Sequence, residues 1–133
     1  MTRESNFAST FRRNMTGLWH RVENSISAGM PDLCGVGHNG VTSWVELKAL
    51  GSWTRVLGLR REQVIWLRRW CRAGGRAWVL VKVGRVVLLV NGLDLWDSQT
   101  DVKGYTREQW IEVATCYWPG NVDWDELGCV LLS

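Results

Sequence analysis

Apolar residues near the start of the chain recur every three or four positions: Phe7, Phe11, Met15 and Leu18. That period predicts an amphipathic helix from residue 3 to about 21, with Arg12, Arg13 and Arg21 off the apolar stripe. Gly29 and Pro31 interrupt it. The run Leu33 to Val36 then predicts a short strand, GHNG (Gly37 to Gly40) a hairpin turn, and VTSWVELK (Val41 to Lys48) a second strand. In this second strand Trp44, Glu46 and Lys48 alternate with Val45 and Leu47, so the first three share one face of a sheet. After a glycine-containing loop over residues 49–59, Arg60 to Ala73 returns to helical spacing and Gly74-Gly75 stops it. Ala77 to Val83 and Arg85 to Val90 read as two strands joined at Gly84. A further helix is predicted around Thr106 to Cys116, with Thr106 as N-cap and Gln109 completing a capping box. No internal repeat, low-complexity stretch or domain boundary breaks the 133 residues, which form one domain of ordinary size.

Composition narrows the class. Hydrophobic residues are 46% of the chain, enough for a packed core. Ten tryptophans is a large number for this length, and Trp66, Trp70 and Trp78 are expected in the core because each buries a large apolar area. Net charge is only +3, but it is unevenly spread. Lys48 to Arg76 holds eight basic residues and one acid, Glu62, whereas Asp94 to Glu126 holds eight acids and two bases. That asymmetry fits one face turned to a polyanion, or simply two solvated faces of opposite sign. The four cysteines are widely separated and no CxxC pair occurs, which argues against structural zinc and for free thiols in a reducing compartment. The first fifteen residues contain charges and no apolar run, so no signal peptide is expected. No stretch is long enough to span a membrane, and a cytoplasmic location, in a bacterial or phage-infected cell, is expected.

Chemistry enters where charge falls beside apolar strands. Asp32 stands just before the first strand of the hairpin, and Glu46 and Lys48 stand near the end of the second. The hairpin brings the two acids together. Converging carboxylates repel unless a cation sits between them, and an all-oxygen site suits Mg²⁺ or Mn²⁺. Lys48 on the same face is placed to orient a water or to stabilise developing negative charge. An isolated ExK is nonetheless common, and by itself reads as an exposed i, i+2 pair on a polar strand face. Basic residues follow immediately: Arg55, Arg60 and Arg61, with Arg12, Arg13 and Arg21 from the first helix, are candidate phosphate contacts. His20 is a further candidate, while His38 in the hairpin turn reads as a solvated turn residue. Trp53 either stacks on bases or folds back onto the core.

Taken in order, Glu23, GMPDL (Gly29 to Leu33), WVELK (Trp44 to Lys48), REQVIWL (Arg61 to Leu67) and GGRAWVLVKV resemble the PD-(D/E)XK nuclease superfamily. The likeness is to the small phage and bacterial branch with VRR-NUC domains and Holliday-junction-resolvase-like proteins. It covers residues 23–90, leaving 91–133 as an accessory or dimerisation region of the single domain 1–133. The resemblance implies an α/β, restriction-endonuclease-like core: a central mixed sheet of about four strands flanked by helices. It implies metal ligation by Asp32, Glu46 and the Leu47 backbone carbonyl, with Lys48 as the water-orienting or charge-stabilising lysine. Gln63 matches the supporting helix glutamine, and Glu23 the acid from the first helix or the chain just after it. Glu23 also reads as a plain helix-end acid, and Gln63 as a first-turn polar residue.

The implied activity is Mg²⁺- or Mn²⁺-dependent endonucleolytic hydrolysis of DNA phosphodiesters, structure-selective on branched DNA and performed by a homodimer. No membrane partner or small-molecule cofactor is expected. The alternatives are a nicking, recombination or restriction-like nuclease without branch preference, and a DNA-binding module without catalysis.

Overall fold

The computed structural model describes residues 2–22, 29–53, 59–95 and 105–133. Glu23 and Arg55 lie outside the described residues. Six strands form a single mixed sheet in sequence order: β1 (Leu18–Arg21), β2 (Leu33–Val36), β3 (Thr42–Leu50), β4 (Ala77–Val83), β5 (Val86–Asn91) and β6 (Cys116–Trp118). Every neighbouring pair is antiparallel except β3 and β4, which run parallel. Parallel neighbours require a crossover, and helix α2 (Arg61–Arg72) supplies it. The architecture is thus α/β as expected, with six strands where about four were anticipated.

The two extra strands have local causes. Helix α1 (Arg3–Asn14) is capped by the Thr2 side chain, which accepts from the Ser5 N–H. It ends seven residues short of the predicted boundary at 21, because Met15 turns extended and Gly17 takes φ +85°, a left-handed conformation open to glycine. The following LWHR buries only Trp19 and exposes its neighbours, so its burial pattern is not that of a helix stripe. Trp19 meets Phe11 edge to face at 4.9 Å, and its indole N–H donates to the Thr16 carbonyl. At the other end of the sheet the predicted helix stops early: α3 (Arg107–Val113) keeps the Thr106/Gln109 capping box, but Cys116 already belongs to β6.

The sheet has a different apolar layer on each face. Phe7 and Phe11 of α1, with Leu127 and Leu131 of α4 (Trp124–Leu132), pack on Val45, Leu47 and Leu80. Val64 and Leu67 of α2, with Trp110 of α3, pack on Val79, Val81 and Leu88. The segment after residue 90 therefore contributes Trp110, Trp118 and Leu127 to the core itself. Trp78 is buried as expected, Trp66 is half-buried, and Trp70 departs from the core assignment with 40% exposure.

One backbone contact fixes the approach to Asp32. Gly29 has φ +86°, and a β-carbon there would lie 2.2 Å from the Glu62 carbonyl oxygen at the start of α2. Gly29→Ala is expected to cost about 2 kcal/mol of unfolding free energy, from left-handed strain plus a backbone clash. Urea denaturation checks this; a variant as stable as the parent would contradict the contact.

Candidate acidic site on the sheet

The hairpin of β2 and β3 sets the site's geometry. Leu33 pairs with Val45, so one step further along the ladder Asp32 lies opposite Glu46 on the same face. The Asp32 backbone carbonyl accepts from the Val22 N–H at 2.7 Å, continuing the β1–β2 ladder past its last paired residues. The Asp32 carboxylate reaches the Leu47 N–H at 3.4 Å. Glu46 is 2% exposed, an unusual place for an acid.

Gln63 holds that acid in place. Its side-chain amide donates to Glu46 Oε1 at 2.8 Å, while its carbonyl oxygen accepts from the Arg60 N–H at 2.8 Å. The same residue therefore caps the start of α2 and orients the carboxylate. This serves the helix well, because Arg60 has no side-chain acceptor to offer as a cap. Gln63→Leu keeps the volume but removes both bonds, and is expected to lower the unfolding free energy by about 2 kcal/mol in denaturant titration. No change would show that the two bonds contribute nothing.

Glu46 Oε2 is buried with no hydrogen-bond donor. Burial pushes the Glu46 carboxyl up to about 9, reinforced by the neighbouring Asp32 carboxylate and by the charge of Glu4; Lys48 pulls the other way. A carboxyl this dry holds its proton, because the ionised form is costly beside a second acid and away from water. The proton does there what a bound cation would do.

Lys48 is two residues further along β3, its side chain 13% exposed, and forms an ion pair with Glu4 at 3.7 Å. Glu4 comes from the first turn of α1. Sequence reasoning missed it. The available signal was an acid in the first turn of the first helix, but nothing local says that this turn reaches the end of β3.

Asp32, Glu46, Lys48 and Gln63 are thus brought together. Of the candidate phosphate contacts, Arg60 and Arg61 lie at the exposed start of α2, within three residues of Gln63. His20 and Arg21 are exposed on β1. Arg12 and Arg13 sit in the last turn of α1, about 12 Å along that helix from Glu4. Trp53 is half-buried and packs against the α2-side core, not fully free to stack. Two basic residues of the central cluster serve the fold. Arg68 donates to the Leu93 and Leu95 carbonyls, and Arg76 donates to Ser43 and the Val130 carbonyl.

Among the described residues no three His, Cys, Asp or Glu side chains converge on one point. The described residues thus form no closed cage such as structural zinc uses, while an open Mg²⁺-type site needs fewer protein ligands. Mg²⁺ takes one or two carboxylates and keeps several waters. The donor set here is two facing carboxylates, one with an orphaned buried oxygen, and it fits such a cation.

No family model matches this chain, and no curated protein matches it. Solved structures do. A Holliday junction resolvase from the archaeal hyperthermophile Archaeoglobus fulgidus, Hjc, is 19% identical, with a TM-score of 0.52 over 71% of this chain and 78% of the resolvase chain. At that identity the likeness establishes the fold, a restriction-endonuclease-like core.

Proposed function

We propose that this protein is a metal-dependent DNA endonuclease with branched DNA as its substrate. The single observation that carries the reading is the facing pair of half-buried Asp32 and buried Glu46, the latter with an orphaned carboxylate oxygen and with Lys48 two residues away. The fold shared with a protein named as a Holliday junction resolvase supports the substrate class.

Mg²⁺ or Mn²⁺ would be held by Asp32 and Glu46 with the Leu47 carbonyl, and when bound would supply polarisation of a phosphate oxygen and a water of lowered pKa. The remaining work belongs to the chain. Gln63 fixes the Glu46 carboxylate in one orientation, so the site is formed before substrate arrives. Lys48 is held next to the reacting phosphate and stabilises the charge that develops on it. Its partner Glu4 is half-exposed, so their ion pair is weak and exchanges readily for a phosphate oxygen. Arg60 and Arg61, exposed at the start of α2, hold the flanking backbone phosphates.

The test is cleavage of linear duplex, single strand, flap and four-way junction DNA, with Mg²⁺ or with EDTA. Metal-dependent cutting of the junction in preference to the duplex is expected. No cleavage of any substrate removes the enzyme reading and leaves a DNA-binding module. Equal cleavage of all four removes the branch preference and leaves a general nicking or recombination nuclease. Sedimentation of the intact protein tests the homodimer that two-strand cleavage of a junction calls for.

A further inference from the structure

On the sheet face that carries the acids, the strands present successive cross-strand rows. One row is Asp32 and Glu46; the next is His20, Cys34 and Trp44, two residues or about 7 Å along each strand. This second row is not sealed: His20 is exposed, and Cys34 and Trp44 are half-buried. Helix α2 runs antiparallel to β3 above it. Gln63 meets Glu46, and one and two turns later Trp66 and Trp70 meet Trp44, with ring centroids at 5.6 and 5.9 Å.

Trp66 and Trp70, four residues apart on the helix, stack face to face at 4.8 Å with planes 10° apart, and Trp44 meets both edge-on. Three indoles fixing one another's orientation make a rigid group, and Trp70, at 40% exposure, offers it to solvent. A core has no use for an indole so exposed. Beside it α2 exposes Arg69, and on its outer face Arg61 and Arg72, none with an ion-pair partner among the described residues. A second copy of this chain docking here about a two-fold axis would bring Arg69, next to Trp70, towards its own counterpart. A polyanion carrying flat aromatic rings matches both the charge and the shape.

We propose that Trp70, backed by Trp66 and Trp44, is a stacking platform for an unpaired nucleobase of the DNA bound at the acids. It rests on the nuclease reading for its location, not for its chemistry. A base fully paired within a duplex keeps both faces stacked on its neighbours and has none to offer. A base at a junction, flap or single strand has a free face. The platform therefore supplies preference for unpaired DNA next to the acids, about three stacked nucleotides away along α2.

The test is anisotropy of fluorescein-labelled 12-mer single strand, four-way junction and paired duplex in EDTA, so that no cleavage occurs. Trp70→Ala is expected to weaken single-strand and junction binding about ten-fold, the loss of one base–aromatic stack, and to change duplex binding less than two-fold. Trp70→Tyr should restore binding and Trp70→Leu should not, which separates stacking from apolar packing and holds even if the alanine variant folds poorly. A 2-aminopurine at the unpaired position should be quenched by the parent and by the tyrosine variant only.

Equal losses on duplex and single strand, or parental binding by the leucine variant, would overturn the proposal. So would a dimer that Trp70→Ala converts to monomer with DNA affinity unchanged. Metal-dependent cleavage with unaltered Trp70→Ala binding removes the platform and leaves the nuclease. Selective loss of unpaired-DNA binding in a protein that never cleaves removes the nuclease and leaves the platform.

Discussion

Lys48→Ala is expected to slow Mg²⁺-dependent junction cleavage about 10²–10³-fold under single-turnover conditions, the usual cost of removing one preorganised charge-stabilising group. The same substitution should leave the fold almost untouched. The Lys48 side chain is 13% exposed and Glu4, its ion-pair partner among the described residues, is half-exposed, so no buried charge is orphaned there by the change. That combination, lost rate with retained stability, distinguishes a group acting on the substrate from a structural lysine. Cleavage at the parental rate would remove Lys48 from the site. Glu4→Gln breaks the same ion pair from the other side and leaves Lys48 in place, so it should spare most of the rate that Lys48→Ala loses.

The second large effect concerns pH. In the metal-free protein the Glu46 carboxyl sits at about 9, against 4.5 for the free group. Between those values the folded chain binds a proton that the unfolded chain has released. Stability contributed by this group is therefore complete below pH 4.5, falls as pH rises, and is lost once the folded carboxyl ionises near 9. The slope approaches about 1.4 kcal/mol per pH unit. Glu46→Gln removes the titration while keeping an acceptor for Gln63. It should stabilise the metal-free protein at pH 7 by on the order of 3 kcal/mol and by nothing near pH 4. Denaturant titrations at pH 4, 7 and 9 read this directly. Parallel stability–pH curves for the two proteins would show that Glu46 does not carry the burden. The groups facing it are Asp32, Lys48 and Glu4, and Asp32→Asn should flatten the curve in part by removing the neighbouring charge. Mg²⁺ competes with the Glu46 proton, so it should raise the melting temperature of the parent more at pH 8 than at pH 6.

Much of this site is written in short-range pattern. The alternation of VTSWVELK assigns Glu46 and Lys48 to one face, and the GHNG turn fixes which residue of the preceding strand lies opposite. Asp32 and Glu46 follow from those two facts, since register in a tight hairpin is set by its turn. The helical period and its stop at Gly74-Gly75 locate α2, and with it Gln63 one turn into the helix. The Thr106 capping box is likewise complete within four residues.

Other features depend on contacts between distant parts of the chain. The first-helix period runs on through Leu18, yet residues 18–21 pair with β2 as a strand, because a sheet edge was available and Gly17 let the chain turn into it. Glu4 reaches Lys48 across 44 positions of sequence. A tryptophan at helical spacing says only that it belongs to the apolar stripe. Whether the stripe is covered depends on what the sheet places beneath it. The β4–β5 half accommodates Val64 and Leu67, while the first strands leave Trp70 open beside Trp44. By itself, then, the chain determined its alternating faces, its turns and the hairpin that opposes two acids, since these are satisfied within a few residues. Only the tertiary structure decided that Glu46 is dry enough to keep its proton, that a helix from the start of the chain approaches Lys48, and that an aromatic cluster stands open next to them. Burial and long-range charge belong to the assembled layers, and no local pattern contains them.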